Sequence, residues 1–373
     1  MTEHSGNSAA AETNAQLPLA GLLVLDFGQF LSAPSAALRL ADLGARVIKV
    51  ERAGSGDICR RLYISNMELD GDSTLFHAIN RNKESFSADL RNPADAEEVL
   101  ALIRQADVLI QNFRPGVMER LGLHYEAVQA VNPAIVYGEI TGYGHEGPWV
   151  GKPGQDLLVQ SVSGLTGLRE DSDEPPMPQG LALTDMIAGA HLAQGILSCL
   201  VRRAVTGRGA HVAVSLLESA LDLQADEITA RLTAGAETPS GPAHQPVRQS
   251  IFAVKDGYVA AVANGQAAAD VAISTAEASA MSADERIAAL EPADYDCAKV
   301  LSWTELREEP HFRQLDMVQQ VTRAGGTPMR TTCCPIRIDG ARLRSEKGSP
   351  RVGEHTEAIR QEWIHKLKED TTR

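Results

Sequence analysis

The first half of the chain alternates strand and helix patterns, and this alternation restricts the possible folds more than any other feature. Residues 22–27 read LLVLDF, a short apolar run typical of a strand that is covered on both faces. Ser32-Ala33-Pro34 predicts an N-cap and a proline in the first helical turn, Gly44 ends that helix, and residues 46–51 predict the next strand. A strand, helix and strand follow within residues 85–111, and residues 133–140 add another strand. The pattern predicts an α/β fold with a mostly parallel, doubly wound sheet.

Composition excludes several classes of protein. The net charge of −14 argues against a nucleic-acid binder, which would present a basic face. Residues 1–16 are polar, so we interpret them as a disordered tail rather than a signal peptide, and no long apolar run predicts a membrane span. The five cysteines and ten histidines show no metal-ligand spacing. We therefore expect a cytoplasmic protein without a metal site.

The segments that follow the predicted strands are expected to share one edge of the sheet, where ligands bind in folds of this kind. No G-x-G-x-x-G follows the first strand, which argues against a dinucleotide dehydrogenase. Basic residues are frequent in the same half of the chain and favour an anionic, phosphorylated ligand, although solvated surface charges would give the same pattern. These residues are Lys49, Arg52, Arg60, Arg61, Lys83, Arg114 and Arg120.

Asp156 follows a glycine turn and precedes an apolar helix with small residues. This position suits a nucleophilic carboxylate at the edge of the sheet. From the residues alone, an N-cap is the commoner role of an aspartate at such a position. Asp185 opens a second predicted helix, and we interpret it as structural or supporting.

An ordered series of motifs resembles the family III CoA-transferases, which include formyl-CoA:oxalate transferase-like and carnitine CoA-transferase-like enzymes and the α-methylacyl-CoA racemases. Each motif is short, but taken in order the motifs cover most of the chain, from Pro18 to Thr356. The motifs are Pro18–Phe27, Leu43–Arg52 with Gly54–Asp57, Asn112–Gly116, Gly142–Gly144, the Asp156 segment, Thr206–Gly209 and Gly353–Thr356.

The resemblance implies a large Rossmann-like domain, built from residues 17–220 and 325–373, and a smaller α+β domain with its linker helices over residues 221–324. It also implies an interlocked homodimer. CoA or acyl-CoA is expected as a substrate rather than as a tightly bound cofactor. The residues that the resemblance assigns to CoA contacts are Leu31, Ser32, Arg52, Asn112, Phe113, Arg120 and Tyr143.

The resemblance further implies that Asp156 is the catalytic nucleophile in the transfer of CoA from an acyl-CoA to a free carboxylic acid. Two alternatives stay open: a racemase-like isomerase and a catalytically idle CoA-binding relative. The racemase branch carries histidine where this chain has Gln155, which favours the transferase. The chain also lacks the glycine-rich loop of formyl-CoA transferases and has His244 to Gln249 there, which argues against carrying over oxalate as the acceptor.

Overall fold

The computed structural model describes residues 17–167, 175–234, 249–263 and 279–365. The predicted tail over residues 1–16 lies outside the described residues, as does almost all of the segment from His244 to Gln249. The described residues divide into two compact units. One lies within Met1–Ala225 and Val318–Arg373, and the other lies within Asp226–Met317.

Strands and helices alternate through the first unit, as the sequence predicts. The strands among the described residues are β1 (Leu23–Asp26), β2 (Arg46–Arg52), β3 (Glu68–Leu69), β4 (Asp72–Ser73), β5 (Glu84–Ala88), β6 (Val108–Gln111), β7 (Val136–Thr141), β8 (Ala210–Ser215), β9 (Gln249–Val254), β10 (Gly257–Ala263), β11 (Tyr295–Lys299), β12 (Val318–Val321), β13 (Met329–Thr332), β14 (Arg337–Ile338) and β15 (Ala341–Arg342). The helices are α1 (Ser32–Asp42), α2 (Thr74–Asn80), α3 (Pro93–Ile103), α4 (Val117–Leu121), α5 (Tyr125–Val131), α6 (Asp156–Val162), α7 (Leu183–Thr206), α8 (Leu216–Asp222), α9 (Ala225–Ala234), α10 (Ala283–Leu290), α11 (Trp303–Glu308), α12 (Pro310–Leu315) and α13 (Thr356–Ile359), which continues as a π-helix over Arg360–His365.

The central sheet has six parallel strands in the order β5-β2-β1-β6-β7-β8. Successive residues of β1 point to opposite faces, since Val24 packs in one core cluster while Leu23 and Leu25 pack in the other. Both faces of the sheet are therefore covered, which explains why its central strands are continuous apolar runs. The predicted α/β class with a parallel sheet is confirmed, and the interlocked dimer stays a prediction.

Helix α7 is the long helix of the first unit and covers one face of the sheet. Within the described residues it alone is long and apolar enough to cross a membrane by length and composition. Leu192 and Ile196 are fully buried in the core cluster that α7 shares with β7 and α1. This packing on the sheet accounts for the apolar composition of α7.

The second unit contains an antiparallel sheet in the order β11-β10-β9. Asp256-Gly257 between two apolar runs predicts a hairpin. This hairpin is present as β9 and β10, with Val254 paired to Gly257 across the turn. Two local predictions are wrong. The alanine-rich composition of residues 267–300 predicts a helix, but the described part of this run is not wholly helical, because Tyr295–Lys299 forms β11 and pairs with β10. Ser32 is the first residue of α1 rather than its N-cap, which is Leu31.

Candidate active site

Several cavities formed by the described residues lie along the carboxyl ends of the parallel strands, and two of them contain the predicted site residues. The arginine cavity has a volume of about 510 Å³ and is lined by the segments that follow β1, β2, β5 and β6. The Asp156 cavity has a volume of about 370 Å³ and is lined by the segments that follow β1, β6 and β7, together with Asp156 and Asp185. Both cavities include Phe113 in their walls. Together they offer a continuous edge along which an extended ligand can lie.

The arginine cavity carries exposed cations that are available to an anionic ligand. Arg52, Arg91 and Arg120 line it, and all three side chains are exposed. None of the three forms an ion pair with another residue in the described part of the chain. Guanidinium groups in such a position suit phosphate oxygens, which they can bind in bidentate fashion. Arg91 was not singled out from the sequence, because nothing local marks it as a ligand contact.

Three other cations of the predicted basic patch are internal, whereas Arg61 and Arg114 are exposed. Lys49 and Lys83 are fully buried, and both pair with Asp26 at the end of β1. Arg60 is also buried, and it pairs with Glu51 at 2.6 Å and with Asp72 at 2.9 Å. The prediction of a contact with an anionic ligand is therefore wrong for Lys83 and Arg60. Lys49 lines the arginine cavity, but its ammonium group is paired with Asp26 and Asp57.

Asp26, Lys49 and Lys83 form a buried charged group. Burial and the neighbouring charges shift the pKa of Asp26 and that of Lys83 in opposite directions. Burial disfavours the ionised Asp26, yet Lys49 and Lys83 hold its pKa below the ordinary value. Burial lowers the pKa of Lys83 to about 8 despite the attraction of Asp26. Lys83 Nζ also donates to Pro34 O and Asn80 Oδ1, so all three of its hydrogens have acceptors. The group anchors the loop between β1 and α1 to the sheet.

Asp156 lies at the first residue of α6 and is partly buried in the wall of its cavity. It does not cap its own helix, whose N-cap is Gln155. Its Oδ1 instead accepts hydrogen bonds from Thr184 N at 2.7 Å, Thr184 Oγ1 at 2.6 Å and Asp185 N at 3.1 Å. Its Oδ2 accepts one from Gln160 Nε2 at 2.6 Å. The carboxylate is thus held against the first turn of α7.

Asp185 lines the same cavity, close to Asp156. Its pKa is raised to about 7, chiefly by burial and then by the negative charge of Asp156, while a hydrogen bond from Ser32 acts in the opposite direction. The pKa of Asp185 thus lies near neutral pH, so its carboxyl group can hold a proton beside Asp156, the candidate nucleophile. The sequence placed Asp185 at a helix start but gave no sign that it faces Asp156.

The loop between β1 and α1 is fixed by Asn112, which follows β6. Its Oδ1 accepts from Gln29 N at 2.8 Å, and its Nδ2 donates to Gln29 O at 2.8 Å and to Ser32 Oγ at 3.3 Å. Phe30 has a positive φ of 59° in this loop, a conformation that costs energy for a residue other than glycine. Leu31, Ser32 and Asn112 all line the Asp156 cavity, so the structure brings these three predicted residues together.

The segment before Asp156 is positioned by a close contact between two glycines. A Cβ on Gly154 would lie 2.5 Å from Gly142 Cα, so neither position has room for a side chain. Tyr143 lies beside this contact, and its hydroxyl donates to Pro153 O at 3.1 Å. Tyr143 lines neither cavity. Its predicted CoA contact is therefore not supported by the geometry, and we assign it to holding the segment that leads to Asp156.

Histidine side chains, which could act as bases, contact other groups. His145 and His211 both contact Glu139, and His191 Nδ1 lies 3.1 Å from Ser219 Oγ. No histidine of the described residues lines the Asp156 cavity. Across the described ranges, no group of three His, Cys, Asp or Glu side chains is arranged to hold a metal ion.

Known proteins resemble this chain in sequence and in structure. The chain is 29% identical to an "Acyl-CoA transferase" of Fusarium pseudograminearum over 98% of this chain and 91% of that protein. It is 28% identical to a "Succinate--glutarate CoA-transferase" of Agrobacterium fabrum over 92% of this chain and 94% of that protein. It resembles the crystal structure of a CAIB/BAIF family protein from Brucella suis with a TM-score of 0.80 and 29% identity, over 93% of this chain and 99% of that one.

The family comparison covers most of the chain. The model described as CoA-transferase family III matches residues 19–277 and 266–356. The resemblance drawn from the ordered motifs is confirmed, and with it the prediction that the chain is an enzyme of this class. The chain belongs to CoA-transferase family III.

Proposed function

We propose that this enzyme transfers CoA from an acyl-CoA thioester to a free carboxylic acid through covalent intermediates on Asp156. The observation that carries the proposal is the position of Asp156, whose carboxylate lies in the wall of a cavity that adjoins the arginine cavity at Phe113. A carboxylate nucleophile suits this chemistry because its acyl anhydride stays activated for exchange with a thiolate.

The two cavities suggest how the donor lies. The phosphates of CoA bind at Arg52, Arg91 and Arg120, and the thioester reaches past Phe113 to Asp156. Arg114 and Lys152 are exposed cations in the Asp156 cavity, and they offer a place for the carboxylate of the acceptor acid. The remaining wall of this cavity is largely apolar and takes the hydrocarbon part of either acid.

The reaction then proceeds in two halves. Asp156 attacks the thioester carbonyl, the C–S bond breaks, and CoA leaves as a thiolate while a mixed anhydride forms. The thiolate attacks the aspartyl carbonyl carbon, the donor acid leaves as a carboxylate, and aspartyl-CoA remains. The acceptor carboxylate repeats these steps in reverse order, which yields the new acyl-CoA and restores Asp156.

The isomerase alternative is favoured by one observation. Asp185 has a pKa raised to about 7 and lies beside Asp156, so a carboxyl pair is present that can move a proton. Incubation of a branched acyl-CoA in deuterated water distinguishes the two reactions. Incorporation of deuterium at the α-carbon without any acceptor acid would support the isomerase, and exchange of CoA between acids without α-deuteration supports the transferase.

A homodimer is part of the proposal because large apolar side chains near Asp156 are exposed. Leu157 and Val162 on α6 are about half exposed, and Leu181 before α7 is 75% exposed. A second copy of the chain would remove this apolar surface from water. Light scattering on purified protein tests the proposal, since it expects twice the chain mass, and a monomer would contradict it.

The test of transfer is a screen of acyl-CoA donors against dicarboxylic and branched acids, with CoA exchange as the readout. Asp156→Ala is expected to bind CoA with the wild-type Kd and to lose turnover. Asp284→Ala removes an exposed aspartate from the first turn of α10 and serves as the matched control. Wild-type turnover in Asp156→Ala would refute the assignment of the nucleophile.

A further inference from the structure

The two oxygens of the Asp156 carboxylate have unequal surroundings. Oδ1 accepts three hydrogen bonds, from the backbone and hydroxyl of Thr184 and from the backbone of Asp185. Oδ2 accepts one, from the buried Gln160. The three donors to Oδ1 belong to the first turn of α7, a helix of 24 residues whose dipole places partial positive charge at that end.

Helix capping alone explains only part of this arrangement. A cap needs one acceptor for the first turn, and it is normally supplied from the residue just before the helix. Here the acceptor comes from a different helix, 28 positions earlier in the chain, and it lines the cavity that we assign to the reacting thioester. The buried Thr184 hydroxyl also adds a donor that a cap does not require.

We propose that Thr184 and the backbone N–H of Asp185 form an oxyanion site for Oδ1, so that Oδ1 stays on the enzyme while Oδ2 is replaced in every turnover. This inference rests on the proposed covalent transfer through Asp156. The less restrained oxygen, Oδ2, attacks the acyl carbon and becomes the bridging oxygen of the anhydride.

The fate of each oxygen follows from the bonds that form and break. When the CoA thiolate attacks the aspartyl Cγ, the negative charge develops on Oδ1, where three donors already point. The bond from Cγ to Oδ2 then breaks, and Oδ2 leaves within the donor acid. When the acceptor carboxylate attacks the aspartyl-CoA, the charge again develops on Oδ1, CoA leaves as a thiolate, and one acceptor oxygen takes the Oδ2 position.

Gln160 donates a hydrogen bond to the other oxygen of Asp156, Oδ2. Its side-chain N–H contacts Oδ2, the atom that takes on negative charge as the donor acid departs. Gln160 Nε2 also donates to Leu181 O at 2.9 Å, which fixes the amide in place. Rotation of the carboxylate about Cβ–Cγ would exchange the two oxygens, and it would require breaking all three hydrogen bonds to Oδ1.

Oxygen labelling of Asp156 tests the inference. The enzyme turns over many times with an unlabelled acyl-CoA and an acceptor acid that carries ¹⁸O at both carboxylate oxygens. The Asp156 peptide is then analysed by mass spectrometry. We expect the label to reach a plateau of one heavy oxygen in each Asp156. A plateau of two would overturn the inference, because it requires that Oδ1 and Oδ2 exchange places. Transfer without any label in Asp156 would instead refute the covalent mechanism.

Substitution of Thr184 tests the oxyanion site itself. Thr184→Val removes the hydroxyl at nearly constant shape, and we expect kcat to fall on the order of 10²-fold, as for other oxyanion donors. The fraction of doubly labelled Asp156 should rise at the same time. Thr184→Ser keeps a hydroxyl and should retain the single-oxygen plateau. Unchanged kcat in Thr184→Val would remove Thr184 from the proposal. If that variant fails to fold, the plateaus of the wild type and of Thr184→Ser decide the outcome.

Discussion

Replacement of Asp185 by asparagine should make the stability of the protein less dependent on pH. The pKa of Asp185 is about 7 in the folded chain, against an ordinary value of 3.8, because burial and the charge of Asp156 disfavour its ionised form. Between these two pH values the folded state holds one proton that the unfolded state has released. The free energy of unfolding therefore falls as the pH rises from about 4 to about 7, and the contribution of this group is constant above that range.

The size of the effect follows from the pKa shift. A shift of about three units corresponds to about 4 kcal/mol at 1.36 kcal/mol for each unit, and partial exposure of the side chain reduces this to about 2–4 kcal/mol. Asp185→Asn should remove the penalty, since the amide stays neutral. The advantage of the variant over the wild type should therefore grow by about 1–3 kcal/mol between pH 5 and pH 8, because about two units of the pKa shift fall in this range.

Urea unfolding at several pH values measures this gain. Glu97→Gln is the matched control, because it makes the same change from a carboxylate to an amide at an exposed position of α3. The reasoning is refuted if the stability difference between Asp185→Asn and the wild type is the same at pH 5 and pH 8.

Three further perturbations follow from the structure. Gly154→Ala should lower kcat at least about tenfold, because the added Cβ would displace the Gly142 backbone and with it the segment that positions Asp156. A wild-type kcat would contradict the role of this glycine contact in positioning Asp156. Lys83→Met should destabilise the fold by about 3–5 kcal/mol in urea unfolding, because Asp26 loses a buried partner, and a loss below 1 kcal/mol would contradict it. Arg120→Ala should raise KM for acyl-CoA, with a smaller effect at high salt and little change in kcat, and an unchanged KM would remove Arg120 from the phosphate site.

The parallel sheet was predictable because its strands carry their own signal. Continuous apolar runs such as residues 22–27 identify strands that are covered on both faces, and glycines and prolines mark where the helices between them begin and end. Strand β11 was missed for the opposite reason. Its sequence, YDCAK, is neither apolar nor alternating in a decisive way, and its pairing with β10 comes from tertiary contact.

The candidate site was predictable only in part. Asp156 could be identified from its glycine turn and from the resemblance, but its partners could not, since Thr184 lies 28 positions away. The basic patch shows the same limit. Lys49 and Arg52 are three residues apart in one strand, yet Lys49 is buried and paired while Arg52 is exposed at the arginine cavity. The sequence shows which residues are charged, but only the folded structure shows which of them are exposed to a ligand.

The central claim is that the carboxylate of Asp156 becomes covalently attached to CoA during transfer. The most direct test incubates the enzyme with an acyl-CoA in the absence of an acceptor, quenches the reaction with acid, and maps the modified peptide by mass spectrometry. The account predicts a hydroxylamine-sensitive CoA adduct on the peptide that contains Asp156. A chain that completes transfer with no adduct on that peptide, under conditions that preserve thioesters, would contradict the account.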